Sequence, residues 1–179
     1  MQIVAPQPPK TILEVYRMLP EGTRAELING RLYMSPAPTL SHQDSTLDLA
    51  SKILFSVKKN NIGRVFISPI DVFLDSKNAV QPDIFFVSNE RKSILKDDGI
   101  YGAPNLVIEV LSPGTKKFDL DKKKRIYEKH GVKEYWVVDP ISKESLGYQV
   151  KNSKFVLFKQ ESGRLSSALL KHTVKFQSF

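Results

Sequence analysis

Apolar residues recur along the chain in two patterns, which predict alternating strands and helices. Short runs rich in β-branched and aromatic residues predict strands; these runs are 64–68, 71–75, 83–87, 105–111 and 134–139. Apolar residues at three- and four-residue spacings predict helices over about 11–18, 41–60 and 119–130. The order strand, helix, strand from 105 to 139 predicts a βαβ crossover and therefore a parallel or mixed sheet with helices on its faces.

Turn and cap residues refine the ends of these elements. Asn29-Gly30, in the middle of 25–34, predicts a β-hairpin. Ser41, followed three residues later by Asp44, predicts the cap of the second helix. The apolar face of that helix is expected to comprise Leu47, Ala50, Ile53, Leu54 and Val57. Short β-like runs after about residue 146 predict an antiparallel meander.

The chain has 179 residues, which is the length of about one domain at ~150 residues each. Residues 1–10 contain three prolines and little periodicity, so they are expected to form an arm. The remainder, 11–179, shows no internal repeat and no convincing boundary, and we expect it to form a single α/β domain.

The amino-acid composition excludes several classes of protein. The chain has no cysteine, which excludes a disulfide scaffold, a thiolate zinc site and a cysteine nucleophile, and which is typical of a cytoplasmic protein. No apolar run approaches the ~18 residues of a membrane span. The first ten residues lack a basic start and an apolar core, so we expect no signal peptide and no membrane partner.

Positive charge is concentrated in the second half of the sequence. The formal net charge is +8, of which residues 1–100 carry +1 and residues 101–179 carry +7. A basic half on a small domain suggests a polyanionic partner such as nucleic acid. A charge that serves only solubility is an equally good explanation at this point.

Two carboxylates fall in apolar strands. Glu109 interrupts the run 106–111, and an ionised carboxylate in a central strand is costly unless it is paired or bound to a metal. Asp83 opens the apolar run 83–87 directly after Pro82. If both strands belong to one sheet, the two carboxylates form an oxygen-ligand site for Mg²⁺ or a similar hard cation. A structural ion pair at Glu109 and a turn aspartate at Asp83 are the alternatives.

One lysine of the third predicted helix is also unusual. On a helical wheel Lys123 points to the middle of the apolar, sheet-facing side, whereas Lys122 and Lys124 lie to either side of it. A sheet-facing lysine beside a buried glutamate forms either a buried ion pair or a catalytic pair.

Two weaker candidates lie in the first third of the chain. Glu26 is in the first strand of the hairpin, where an exposed glutamate is the ordinary expectation. His42 is in the first turn of the 41–60 helix, and a lone histidine there is more often a packed residue than a ligand. Phosphate-binding glycine loops and the G-x-S-x-G nucleophile motif are absent from the sequence.

These residues occur in longer stretches that resemble a known family. An aspartate after proline, a strand carrying glutamate and a nearby lysine are the outline of the PD-(D/E)XK nuclease superfamily. More narrowly, the sequence resembles the Uma-type family of proposed restriction endonucleases over roughly residues 11–160. The stretches that carry the resemblance are AELINGRLYMSPAPTLSH (25–42), QPDIFFV (81–87) and NLVIEVLSPGTKKFDLDKKKRIYEKHGVKEYWVVDP (105–140).

The resemblance assigns residues by position. Asp83 matches the aspartate of the family's PD pair and Glu109 its second acid. Where the superfamily has a lysine two residues later this chain has Leu111, and the family's lysine in D-L-x-x-K matches Lys123. Two further positions that the family tends to keep are Glu26, as an accessory metal ligand, and His42, whose role is open.

The fold and activity that the resemblance implies are specific. The fold is a restriction-endonuclease-like mixed β-sheet flanked by helices, with an N-terminal hairpin and a C-terminal antiparallel meander. The activity is Mg²⁺-dependent hydrolysis of DNA phosphodiester bonds, with Mn²⁺ able to substitute. Asp83 and Glu109 would hold the metal, and Lys123 would orient a water or help to deprotonate it, assisted if burial lowers the pKa of the lysine.

The partners and the alternatives follow from the same residues. The flanking cations expected to bind DNA phosphates are Lys116, Lys117, Lys122, Lys124 and Arg125. Cutting both strands would favour a homodimer. The main alternative is a non-catalytic nucleic-acid-binding or regulatory protein on the same fold, in which the acid–lysine cluster is structural. A protein–protein module is a third, which leaves Lys123 unexplained.

Overall fold

The computed structural model of the protein describes residues 8–112 and 118–176. Its α-helices are α1 (Ile12–Arg17), α2 (Leu40–Asn60) and α3 (Lys124–Lys129). A 3-10 turn spans Asn89–Ile94, and a π-helical turn, Phe118–Lys123, leads directly into α3. Most of the predicted arm lies outside the described residues, and the division into an arm and one domain stays a prediction. None of the described helices is long and apolar enough to cross a membrane.

The strands form two six-stranded sheets and a separate ribbon. The strands of the first half are β1 (Ala25–Ile28), β2 (Arg31–Met34), β3 (Gly63–Ile67), β4 (Val72–Asp75), β5 (Asn78–Val80), β6 (Ile84–Ser88), β7 (Leu95–Lys96) and β8 (Gly99–Tyr101). Those of the second half are β9 (Leu106–Val110), β10 (Glu134–Val138), β11 (Glu144–Lys151), β12 (Lys154–Ser162), β13 (Arg164–Ser167) and β14 (His172–Lys175).

The central sheet has the order β12-β11-β10-β9-β6-β3. Strands β9 and β10 are parallel and are joined through α3, which confirms the predicted βαβ crossover. The other neighbouring strands in this sheet are antiparallel. The predicted meander is confirmed: β11 and β12 extend the central sheet, and β13 pairs with β14 in the ribbon.

The second sheet, here called the N-terminal sheet, has the order β2-β1-β5-β4-β8-β7. The predicted hairpin forms its end, with Glu26 opposite Tyr33 in β1 and β2. The predicted N-terminal hairpin is confirmed, and β1 in addition pairs with β5, which joins the hairpin to the rest of this sheet. Strands as short as β5, β7 and β8 carry too few residues for an apolar period to be visible in the sequence.

Side chains alternate between the two faces of the central sheet. On β9, Leu106, Ile108 and Val110 face α2 and pack with its Leu49 and Ile53. The next residues along the strand face the other way, toward α3 and the N-terminal sheet. The central sheet is therefore covered on both sides, and any charged side chain on the face toward α3 is buried between layers.

The start and face of α2 differ from the sequence expectation. The cap is Thr39, whose hydroxyl accepts a hydrogen bond from the backbone N–H of His42 at 3.3 Å, so the predicted cap at Ser41 was wrong. Leu47 is 62% exposed and lies away from the sheet. The buried face includes Leu49, Ile53 and small polar residues such as Ser45. Because some buried positions are polar, the spacing of apolar residues alone did not identify this face.

Candidate active site

The central sheet places Asp83 and Glu109 side by side. Ile84 of β6 is opposite Ile108 of β9, and the two strands are antiparallel. Asp83 precedes Ile84 and Glu109 follows Ile108, so the two carboxylates meet on the same face of the sheet. The backbone N–H of Asp83 lies 3.4 Å from Oε2 of Glu109. The structure thus brings the two predicted acids together, while their roles stay predictions.

Lys123 reaches this pair from the end of the π-helical turn. Its side chain is 9% exposed, and its Nζ lies 3.1 Å from Oε1 of Glu109 and 3.0 Å from Oε1 of Glu26. A third carboxylate, Asp119 Oδ1, is 3.5 Å away. The inward direction predicted for Lys123 is therefore confirmed, with the lysine at the centre of a buried cluster.

Glu26 comes to the cluster from the N-terminal sheet. It is buried, in contrast to the exposed position that is ordinary for a hairpin glutamate. Its Oε1 accepts a hydrogen bond from the backbone N–H of Gln81 at 2.9 Å in addition to its contact with Lys123. Residues from both sheets and from the helical crossover therefore build the site.

His42 contacts the site from the first turn of α2. Its Nε2 lies 3.1 Å from Oδ2 of Asp83, and the same oxygen accepts the backbone N–H of Val110 at 2.8 Å. His42 is buried, and among the described residues its Nδ1 has no hydrogen-bond partner. Both contacts hold the carboxylate of Asp83 through the same oxygen, which fixes its orientation.

Two residues of the cluster were not predicted from the sequence. Asp119 lies four residues before Lys123, and Tyr127 lies four residues after it. The phenol of Tyr127 donates a hydrogen bond to Oε1 of Glu109 at 2.6 Å. Positions four apart share one side of a helix, so this spacing was the signal available in the sequence. Burial and the charge of Glu109 raise the pKa of Tyr127 well above its usual value, which keeps the phenol protonated as a donor.

Excess negative charge sets the electrostatics of the cluster. Four buried carboxyl groups, those of Glu26, Asp83, Glu109 and Asp119, face one lysine and one histidine. Burial and the neighbouring carboxylates raise the pKa of Glu109 well above its usual value, although Lys123 opposes this. Burial would also raise the pKa of Asp83, but the hydrogen bond and charge of His42 lower it below its usual value.

The same carboxylates determine the direction of the pKa shift of Lys123. Burial acts to lower the pKa of this lysine, but the attraction of Glu109, Glu26 and Asp119 outweighs it and raises the pKa well above its usual value. Lys123 is therefore a fixed cation. A lowered pKa, which would have assisted Lys123 in deprotonating water, is not found, and the role of Lys123 toward water stays a prediction.

The donor set fits a hard divalent cation only in part. Within residues 8–112 and 118–176, no three His, Cys, Asp or Glu side chains are arranged to hold a metal ion. Magnesium, however, is usually held by one or two carboxylates together with waters and substrate phosphates. The adjacent acids Asp83 and Glu109 provide such a pair, and the excess of buried carboxylates over cations is charge that a bound cation would offset.

The cations predicted to bind phosphate are only partly described. Lys116 and Lys117 lie outside the described residues. The ammonium of Lys122 is 5.1 Å from the centre of the Tyr33 ring, and that of Lys124 is 3.8 Å from the centre of the Tyr148 ring. Exposed Arg125 forms an ion pair with Asp121 at 2.8 Å. These three flank Lys123 along the chain, and their contact with DNA stays a prediction.

Comparison with known proteins gives a family and a fold. The sequence profile of the Uma2 family, described as "Putative restriction endonuclease", matches residues 12–174. No curated protein matches the sequence. Among solved structures, the chain is similar to one from Anabaena variabilis described as "a putative nuclease belonging to DUF820". The two share 22% sequence identity and a TM-score of 0.74 over 91% of this chain and 92% of that one, which shows that the fold is shared.

Proposed function

This chain belongs to the Uma2 family of putative restriction endonucleases, and from that membership we propose that it is a metal-dependent endonuclease that hydrolyses phosphodiester bonds in DNA. The observation that carries the proposal is the cluster around Lys123. A helix-borne lysine lies 3.1 Å from the carboxylate of Glu109, which is itself adjacent to Asp83. Acids that can hold a metal ion and a lysine that can stabilise developing negative charge are groups that serve phosphodiester hydrolysis.

Asp83 and Glu109 are the residues proposed to hold the cation, Mg²⁺ or in its place Mn²⁺. When bound, such a cation would neutralise the negative charge that develops on the phosphodiester and would lower the pKa of a bound water. Glu26 is proposed as an accessory ligand. Because its Oε1 already accepts from Lys123 and from the N–H of Gln81, its main effect is to position Lys123.

Lys123 is proposed to act as a cation. Its raised pKa keeps the ammonium protonated, so it stabilises negative charge on the phosphodiester in the transition state. Two other side chains orient the acids: Tyr127 donates to Glu109, and His42 contacts Asp83. His42 is therefore proposed as a positioning residue for Asp83.

The substrate is proposed to be DNA, bound along the basic side of the crossover. Lys122, Lys124 and Arg125, together with the sequence neighbours Lys116 and Lys117, would neutralise phosphates without reading bases. Cleavage of both strands would favour a homodimer, and we propose that the protein acts in the cytoplasm. Affinity for DNA should then fall steeply as the salt concentration rises.

A non-catalytic DNA-binding protein is the competing proposal. The observation that favours it is that Lys123 has three carboxylate partners, an arrangement that also suits a purely structural ion-pair cluster. On this alternative the chain binds DNA in EDTA and in Mg²⁺ alike and cuts in neither.

Plasmid cleavage by the purified protein tests the proposal. We expect cutting with millimolar Mg²⁺ or Mn²⁺, none with EDTA, and loss of cutting in Glu109→Gln and Lys123→Met. The matched control is Lys159→Met, which removes an exposed lysine on β12, at the far edge of the central sheet. Equal cutting by the wild type and by both site variants would overturn the assignment of the site. Binding without cutting in any metal would support the non-catalytic alternative.

A further inference from the structure

A cleft of about 680 Å³ lies next to the proposed active site and is formed by α1, the turn after it, the segment before β4 and the β7–β8 hairpin. Its volume is in the range typical of sites for small organic ligands, ~300–1,000 Å³. Its lining includes Tyr16, Arg17, Phe66, Asp71, Gln81 and Lys96. The proposed catalytic chemistry uses none of their side chains.

Gln81 connects the cleft to the catalytic cluster. Its side chain lines the cleft, its backbone N–H donates to Glu26, and Asp83 follows two residues later. A strand of nucleic acid with a phosphate at the cluster would therefore have a neighbouring nucleotide at the mouth of the cleft.

The polar groups of the cleft are already oriented by the protein. The amide nitrogen of Gln81 donates to Asp71 Oδ1 at 2.8 Å and to the carbonyl of Thr23 at 3.1 Å. The phenol of Tyr16 also donates to Oδ1 of Asp71, at 2.5 Å. Both N–H groups of Gln81 are thus used. Asp71 Oδ2 and Gln81 Oε1 accept no hydrogen bond from any residue that the structure describes. At Asp71 and Gln81, therefore, the cleft offers a ligand hydrogen-bond acceptors.

Flat surfaces accompany these acceptors. The guanidinium of Arg17 is 4.9 Å from the centre of the Phe73 ring, which holds it as a stacking surface. The ring of Phe66 lines another part of the cleft. Aromatic rings and guanidinium planes are the surfaces on which proteins stack unpaired bases.

The charge of the lining argues against a phosphate in the cleft. Glu21, Asp71, Asp97 and Asp98 line it, against the cations Arg17 and Lys96. An anion would be repelled by this excess of carboxylates. A neutral, flat ring that carries hydrogen-bond donors matches both the acceptors and the stacking surfaces. Amino groups on adenine, cytosine and guanine are such donors, and carboxylates accept from them.

We propose that this cleft binds one unstacked base of the substrate strand and prefers a base with an exocyclic amino group (adenine, cytosine or guanine) over thymine, which has none. The inference rests on the proposed function in that the base belongs to the strand being cut. Arg17 stacks on the base, and Asp71 and Gln81 accept from its amino group.

Binding of short oligothymidine strands, with the central base varied, tests this in EDTA, where no hydrolysis takes place. We expect strands with a central adenine or cytosine to bind the full-length protein at least about fivefold more tightly than the all-thymine strand. In Asp71→Asn the amide oxygen can still accept from Tyr16 and Gln81, while an N–H₂ replaces the free acceptor. The preference should disappear or reverse in this variant.

The matched control is Asp48→Asn, which removes the same charge from α2, on the opposite side of the central sheet. It should keep the wild-type preference. Absence of any base preference in the wild type, or equal changes in both variants, would overturn the proposal. Asp71-dependent binding of free adenosine or cytidine, without a preference among strands, would assign the cleft to a free nucleoside instead. Asp71-dependent binding of spermidine, again without base preference, would assign it to a cation.

The outcome is separable from that of the cleavage test. A base preference in EDTA, combined with no cutting in Mg²⁺, would overturn the proposed hydrolysis and retain the cleft. Cutting in Mg²⁺ without a base preference would overturn the cleft alone.

Discussion

Two buried glutamates occupy neighbouring parallel strands of the central sheet, and their surroundings differ. Glu109 of β9 and Glu134 of β10 are each 1% exposed. Glu134 shares the α2 side of the sheet with Trp136, whereas Glu109 faces α3. Glu134 accepts from the indole N–H of Trp136 at 2.6 Å, from the backbone N–H of Leu169 at 2.8 Å and from the amide of Gln149 at 3.3 Å.

The partners of Glu109 are of another kind. It accepts from Tyr127 and contacts Lys123, but Asp83, Asp119 and Glu26 also lie close enough to raise its pKa. Glu134 is thus held by neutral donors that suit one carboxylate and join three segments of the chain. Glu109 sits among charges of both signs that do not balance.

Burial of a carboxylate does not by itself mark a functional site. A set of neutral donors uses up the lone pairs of the carboxylate and stabilises the fold. A cluster with more acids than bases keeps a charge that only a proton or a cation can offset. The kind of partner therefore distinguishes a candidate site from a structural one.

Removing Lys123, the cation beside Glu109, should destabilise the protein more than any other change considered for the two glutamates. In Lys123→Met three carboxylates lose their shared partner, and breaking a buried ion pair in this way costs about 3–5 kcal/mol of unfolding free energy. Urea unfolding at neutral pH measures it. Combining the change with Glu109→Gln should recover at least about 1 kcal/mol, because one of the unpaired acids is gone. Additive losses in the double variant would mean that Lys123 acts through packing alone.

DNA cleavage should distinguish Glu109 from Glu134. Glu109→Gln should lower DNA cleavage by about 10²-fold or more, because it removes a proposed metal ligand without changing the shape of the side chain. Glu134→Gln, normalised to folded protein, should cut at close to the wild-type rate. Plasmid cleavage at a temperature where both variants are folded provides the measurement. Equal losses in the two variants would show that the comparison does not identify the site.

For stability we expect the reverse order, with the larger loss in Glu134→Gln than in Glu109→Gln. Glu134→Gln places an N–H₂ against donors that a carboxylate accepted, which should cost about 1–3 kcal/mol of unfolding free energy. Millimolar Mg²⁺ should raise the melting temperature of wild type and Glu134→Gln alike, by mass action on the folded state, and should not raise that of Glu109→Gln. A Mg²⁺ shift that persists in Glu109→Gln would place the cation elsewhere.

The sequence predicted the parts of the site that follow from strand and helix periods. Two apolar runs, each with one carboxylate, predicted that Asp83 and Glu109 meet if their strands belong to one sheet, and the wheel of the crossover helix placed Lys123 on the sheet-facing side. These predictions depend on local geometry, which the chain specifies within a few residues.

What the sequence did not show depends on contacts between distant segments. Burial of Glu26 depends on β1 pairing with β5, a strand of three residues. The donors to Glu134 include Leu169, which is brought near only by the ribbon. The raised pKa of Lys123 depends on three acids from β1, β9 and the π-helical turn meeting at one point. The spacing of hydrophobic residues contains no information on such contacts, whereas the family resemblance does, because it assigned Glu26 to the same site as Lys123.

The pKa of Asp75 is lowered, whereas that of Glu109 is raised, and Asp75 should contribute less to stability than the groups above. Asp75 sits at the end of β4, with its side chain 34% exposed, and contacts His130 Nε2 at 2.9 Å. Burial acts to raise its pKa, but hydrogen bonds from the N–H of Lys77 and from His130 and Asn78 lower it to about 2. Since the folded pKa lies below the unfolded value of 3.8, the contribution to stability is present above pH 4 and is lost as the pH falls toward 2. The whole shift would correspond to about 2 kcal/mol, and solvent screening reduces the expected value to about 1 kcal/mol.

Urea unfolding of wild type and Asp75→Asn at several pH values between 2 and 6 measures this contribution, because other carboxylates titrate in both proteins and cancel in the difference. The wild type should be more stable than the variant by about 1 kcal/mol at pH 6, and the gap should close near pH 2. Since His130 joins α3 to the N-terminal sheet through Asp75, the same gap measures how firmly the helix that follows Lys123 is held. A gap that does not change with pH would show that Asp75 acts through neutral hydrogen bonds, as Glu134 does, rather than through its charge.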